Sequence, residues 1–133
     1  MKKRCFALSV LIMICAVLFV GCGEEKYELD GVDVSNIQVD LVRGSDATFK
    51  FDVKNSSDES VSFDAGKFTL KLDGDDNKII RFMGGKETID ADSKDTVSYL
   101  VYENHPEMKE DDTVKVYFDD KEICEVKVGK IEL

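Results

Sequence analysis

Several residue types that carry chemistry are scarce in this 133-residue chain, and each shortage removes a class of function. Tryptophan is absent, so the Cys…Trp…Cys set of a true immunoglobulin domain is excluded. His105 is the only histidine, and any catalytic triad or histidine metal cluster would have to be built around it. Its neighbours Asn104, Pro106 and Glu107 place it on an exposed loop, and no serine or cysteine motif offers a nucleophile for it to activate. There is no G-x-S-x-G, H-E-x-x-H, C-x-x-C or phosphate-loop pattern. Catalysis is therefore not expected, and no cofactor is implied. Proline occurs once, at Pro106, and after residue 22 no window of twelve or more residues repeats its apolar positions with a helical period. Helix-rich folds are thereby disfavoured.

Charge is missing from residues 5–20, where Ser9 is the only polar side chain. Met1-Lys2-Lys3-Arg4 precedes this run, and a charged start before an apolar stretch is the layout of a secretory signal. Sixteen helical residues span about 24 Å, short of the roughly 30 Å hydrocarbon core, so a transmembrane helix is the weaker reading. Leu18-Phe19-Val20-Gly21-Cys22 resembles the bacterial lipobox, with Phe19 where leucine is commonest. The resemblance implies cleavage before Cys22 and attachment of a diacylglycerol to its sulfur. Two acyl chains hold durably where one holds only marginally. The expected location is the outer face of a bacterial cytoplasmic membrane, with the bilayer itself the first partner. A cleaved signal without lipid, or a retained anchor, are the alternatives.

Cleavage discards Cys5, Cys15, Lys2, Lys3 and Arg4 and no carboxylate. What remains carries 15 cationic and 28 anionic side chains, a net of −13. Such a module is repelled by nucleic acid and by anionic headgroups, and the charge should hold it in solvent above the bilayer. With Cys22 acylated, Cys124 has no partner for an intramolecular disulfide. It shares a strand face with Val126 and Val128 and is expected to be a buried, inert thiol.

Three segments follow: a signal peptide at residues 1–21, a lipidated N-terminus and short tether at 22–30, and one domain at 31–133. In the domain, apolar residues alternate at strand spacing. Val32 and Val34, then Ile37, Val39 and Leu41, change phase at Ser35-Asn36, which predicts a bulge or a crossing between sheets. Ala47, Phe49, Phe51 and Val53 form the clearest strand, closed by Asn55-Ser56-Ser57-Asp58-Glu59. Further strands are expected at Val61–Phe63, Phe68–Leu72, Ile79–Met83, Thr96–Tyr102 with both faces partly covered, Val114–Phe118 and Cys124–Val128, the last continuing through Ile131 and Leu133. One helical turn is expected from Asn104 to Asp112, with Pro106 at its first position.

About seven short strands, each with one apolar face, must cover one another as two sheets. The fold class is thus all-β, an antiparallel sandwich of immunoglobulin-like type. The run from Phe49 to Val61, with its V-x-N-x-S turn at Val53–Ser57, followed by Phe68-Thr69-Leu70-Lys71-Leu72-Asp73, resembles a family of uncharacterised immunoglobulin-like domains of bacterial lipoproteins. Asp92-Ser93-Lys94 stands where that family commonly has Pro-Gly. The resemblance implies the fold and an envelope location, and no activity.

Three features could carry more. Asp73, Asp75, Asp76 and Asn77 cluster oxygen ligands suited to calcium, but without the glycine and glutamate spacing of an EF-hand; a plain hairpin turn is the competing reading. Asn55-Ser56-Ser57 fits the N-glycosylation pattern and reads as a turn. Tyr99, Tyr102 and Tyr117 are core residues by default, or an exposed binding platform. The expected function is a non-catalytic, membrane-anchored module that binds or assists an unidentified envelope or extracellular protein. A protease-inhibitor-like sandwich and a ligand- or metal-binding sensor module are the alternatives.

Overall fold

Period-two burial sets the strands of the computed structural model, which describes residues 25–43 and 46–131. The expected signal segment, the expected lipid attachment at Cys22 and Leu133 lie outside the described residues. Strand β1 (Lys26–Leu29) turns through Asp30-Gly31 into β2 (Val32–Leu41), and β3 (Ala47–Asn55) follows. Next come β4 (Val61–Asp64), a 3₁₀ turn at Ala65–Lys67, β5 (Phe68–Leu72) and β6 (Ile79–Ile80). The chain closes with β7 (Lys86–Ile89), β8 (Ser93–Leu100), β9 (Thr113–Phe118), β10 (Lys121–Lys127) and β11 (Gly129–Lys130).

The described residues thus hold eleven strands rather than about seven. They form one sheet in the order β1-β2-β3-β8, with β11 also on β2, facing a second in the order β10-β9-β5-β6; β4 and β7 make a separate pair. This is an all-β antiparallel sandwich, as the alternation predicts. Only β11 pairs in parallel, placing Gly129 opposite Asp40.

The core lies where the two inner faces meet. Val34, Val39, Phe49, Phe51 and Val53 of the first sheet face Leu70, Val114 and Val116 of the second, all fully buried. Phenylalanine dominates the contact. Phe51 stands 5.1 Å from Phe68, 5.3 Å from Phe49 and 5.9 Å from Phe63, ring centre to ring centre. Such tilted and edge-on pairs add to the area they bury.

Three expectations change, at the tether, after Pro106 and at the last strand, and one, the bulge at Ser35-Asn36, is met. The tether was read to residue 30, but Lys26–Leu29 pair with Ser35–Val32 as a full antiparallel register. The phase change at Ser35-Asn36 is a bulge: register shifts between Ser35 and Gln38, and Asn36 takes a left-handed φ of 55°. No helix follows Pro106 among the described residues. Buried Met108 pins that segment, and the Asp112 carboxylate accepts the Lys109 N–H at 2.7 Å to make a turn instead. The last strand does not run on, because Val128 is fully buried at the crossing and its N–H donates to the Asp112 carbonyl at 2.7 Å. The chain then joins the other sheet, with Ile131 donating to the Leu41 carbonyl at 2.8 Å.

The hairpin turns yield one prediction. Asp30-Gly31 and Asp119-Asp120 both join strands through two left-handed residues, with φ of 51° and 90° in the first and 53° and 69° in the second. Such turns favour glycine at the second place. Asp120→Gly is expected to stabilise the fold by about 0.5–1 kcal/mol, the relief of left-handed strain exceeding glycine's greater freedom when unfolded. A rise in the urea midpoint checks it; a fall would contradict it.

Candidate functional site

Two bulges face each other across the open side of the sandwich. On β2 the bulge at Asn36 turns Ile37 inward. On β10 the register shifts between Glu122 and Cys124. Bulges re-aim side chains and interrupt pairing, and here the sheets part to leave a groove of about 660 Å³. Tyr27, Ile37 and Gln38 line one wall; Ile123, Cys124 and Val126 line the other. Glu25, Asp40 and Glu125 set carboxylates along it, with Lys127 among them.

Cys124 keeps the face of Val126, since residues 124–127 pair in unbroken register with 116–113 after the shift, but it is half-buried on the groove wall and packs against the edge of the core instead of being sunk within it. Burial raises the Asp40 carboxyl above its usual range, against the lowering effect of Lys50. The parallel pairing lays Gly129 against that carboxylate, and a Cβ at 129 would fall on Asp40 Oδ1. A side chain at 129 would therefore have to push the Asp40 carboxylate aside.

The acidic loop is spent on its own turn. Asp73 and Gly74 adopt φ of 56° and 70°. Asp75 Oδ1 accepts the Asn77 N–H at 2.8 Å, and Asp76 pairs with Lys71 Nζ at 2.8 Å. That hydrogen bond and charge hold the Asp76 carboxyl below its usual range. Lys71 Nζ also lies 4.5 Å from the centre of the Tyr117 ring. No group of three or more His, Cys, Asp or Glu among the described residues is placed to hold a metal.

The three tyrosines do not assemble. Tyr99 is buried in the first sheet, Tyr117 is half-buried on the second, and only Tyr102 is exposed. Tyr99 Oη donates to Glu87 Oε2 at 2.8 Å. Burial first, then the Glu87 hydrogen bond and charge, raise the phenol above its usual pKa of about 10. The folded state therefore keeps a proton that the unfolded state releases, and this contribution to stability is present below pH ~10 and lost as pH rises beyond it. Tyr99→Phe is expected to flatten the alkaline decline of melting temperature. An unchanged decline would contradict the assignment.

His105 is half-buried, with its Nδ1 2.6 Å from the Pro106 carbonyl oxygen. Asn55 has a role that turn chemistry alone did not reveal. It is fully buried, and its amide nitrogen donates to the carbonyls of Glu59, Ile89 and Asp90 at 2.8, 3.1 and 3.1 Å. Its oxygen accepts from the Ser57 N–H and hydroxyl. The glycosylation pattern is thus occupied by structure.

The outward side of β8 is not covered as expected. Val97, Tyr99 and Val101 are buried, whereas Leu100 is 62 % and Tyr102 45 % exposed, joined by Met83 at 56 %. Met83 N–H donates to the Leu100 carbonyl and Tyr102 N–H to that of Arg81, so the three sit together. A second cleft of about 660 Å³ runs beside them.

No protein-family model matches the chain, and no curated protein matches it. Among solved structures, a putative lipoprotein (YcdA) from Bacillus subtilis is similar over 77 % of this chain, at 13 % identity and a TM-score of 0.44. The aligned part spans 38 % of that protein's length. At that score the likeness fixes neither fold nor function for this chain.

Proposed function

We propose that this protein is a lipid-anchored extracytoplasmic module that binds or assists an envelope partner without catalysing a reaction. The observation that carries the reading is Gly21-Cys22 at the end of a charge-led apolar run, four residues before the first strand of a sandwich. Strand order lends support to an immunoglobulin-like architecture. If β2, β3 and β8 are strands A, B and E, then β5, β6, β9 and β10 follow as C, C′, F and G in G-F-C-C′ order. Anchoring confines the domain to two dimensions and raises its effective concentration toward any neighbour in the envelope, so weak contacts suffice.

The groove between β2 and β10 is where such a contact fits. Concave, with Ile37, Ile123 and Val126 along its walls and polar side chains such as Gln38, Asp40 and Glu125 interspersed, it has the makeup of a binding site. Three carboxylates against one lysine favour a cationic partner. Photo-crosslinking on intact cells tests this. A reactive side chain at Gln38 is expected to give discrete adducts that one at exposed Lys94 does not, and equal or absent adducts at Gln38 would contradict it.

A further inference from the structure

We propose that Met83, Leu100 and Tyr102 lie against the surface of the bilayer, so that the domain docks on the membrane instead of standing clear of it. The inference rests on the lipid anchor at Cys22 proposed above and on the length of chain that follows it. Only Gly23, Glu24 and Glu25 separate Cys22 from β1. Four Cα steps reach about 14 Å at most.

Strand register converts that reach into a height. Lys26 stands opposite Ser35, and Ser35 opposite Asp52. Leu100 stands opposite Thr48 on the same strand β3, four residues from Asp52, or about 13 Å along it. Because β1 runs antiparallel to β2, the chain before Lys26 comes from the end where β2 finishes at Leu41 and β8 finishes at Leu100. Fully extended, the tether brings the acylated sulfur about level with Leu100 and no further. The described residues beyond that level, Val42, Arg43 and Asp46 and those from Tyr102 to Glu110, then cannot clear the headgroups.

The side chains at that end suit the place. The three large apolar residues exposed among the described ones are Met83, Leu100 and Tyr102, and all three are there. A tyrosine ring with its polar tip is the type enriched at membrane–water interfaces, and leucine and methionine bury area in the headgroup–acyl boundary. Carboxylates lie at both ends: Asp58 and Glu59 in the turn after Asn55, and Asp46 and Glu103 beside the apolar patch itself, with Glu107 and Glu110 further along the same segment. The net charge still disfavours anionic lipid, so the surface in question is zwitterionic.

The absence of tryptophan makes a clean test, since each introduced tryptophan is the sole reporter. The lipidated full-length chain, as Tyr102→Trp, Leu100→Trp or Asp58→Trp, is reconstituted on phosphatidylcholine vesicles with and without brominated acyl chains. Tryptophan at 102 and 100 is expected to shift to the blue and to be quenched at least twofold by brominated lipid, while tryptophan at 58 is not. If the proteins float with the vesicles but 102 and 100 are quenched no more than 58, the docking proposal falls and the anchor stands. A blue shift without quenching would mean a second copy or another protein covers the patch, and would also overturn it. If the wild-type lipidated chain fails to float, the anchor falls and docking falls with it.

Discussion

Phe51→Ala is expected to cost about 3–5 kcal/mol of stability, the range for removing a buried aromatic ring from a packed core. Phe51 is fully buried, and four rings surround it: Phe49, Phe63, Phe68 and Tyr99, at centroid distances of 5.1 to 6.2 Å. These neighbours come from both sheets and from the β4–β7 pair, so the space cannot close without moving three layers of strand. A domain of this size has roughly 5–15 kcal/mol in total, and the melting temperature should fall by roughly 15 °C or more. Phe82 is a suitable control. It lies 4.8 Å from Phe49 but is only half-buried, and its truncation should cost distinctly less. Equal losses at the two positions would show that the core is not centred where the two sheets meet.

Asn55 is the other large case, and its expected loss is polar. Replacing it with leucine leaves the carbonyls of Glu59, Ile89 and Asp90 without the amide that now serves all three. Buried acceptors stripped of a donor cost about 1–3 kcal/mol each at most, shared here among groups with some access to water. A total of about 2–4 kcal/mol is expected. Asn55→Asp should be worse near neutral pH, since a carboxylate would then face three carbonyl oxygens, and should recover partly in acid as it is protonated. Denaturation at pH 7 and pH 4 separates the two variants. If aspartate is tolerated equally at both, the amide is not the link between the β3–β4 turn and the β7–β8 turn.

The contrast between these two residues shows what the chain discloses by itself. Phe49 and Phe51 alternate with Lys50 and Asp52, so their burial follows from strand period alone. The bulge at Asn36 was legible for the same reason, because a lost beat in the pattern must fall somewhere. Asn55 carries on the buried row of β3, yet a polar residue in a cluster of turn formers gives no local sign that two of its partners, Ile89 and Asp90, lie more than thirty positions away. Strand β7 was missed because only Ile89 in Lys86-Glu87-Thr88-Ile89 is buried. The groove was hidden too. It exists because bulges on β2 and β10 happen to face each other, and only the tertiary fold brings them opposite. The tether was overestimated because Tyr27 and Leu29 alternate too briefly to declare a strand.

Incorporation of radiolabelled palmitate into the wild-type chain and into Cys22→Ser tests the account at its root. Label in the first and none in the second is the expected result. No label in the wild type, or equal label in both, would contradict the membrane anchor, and with it the presentation of this sandwich at the cell envelope.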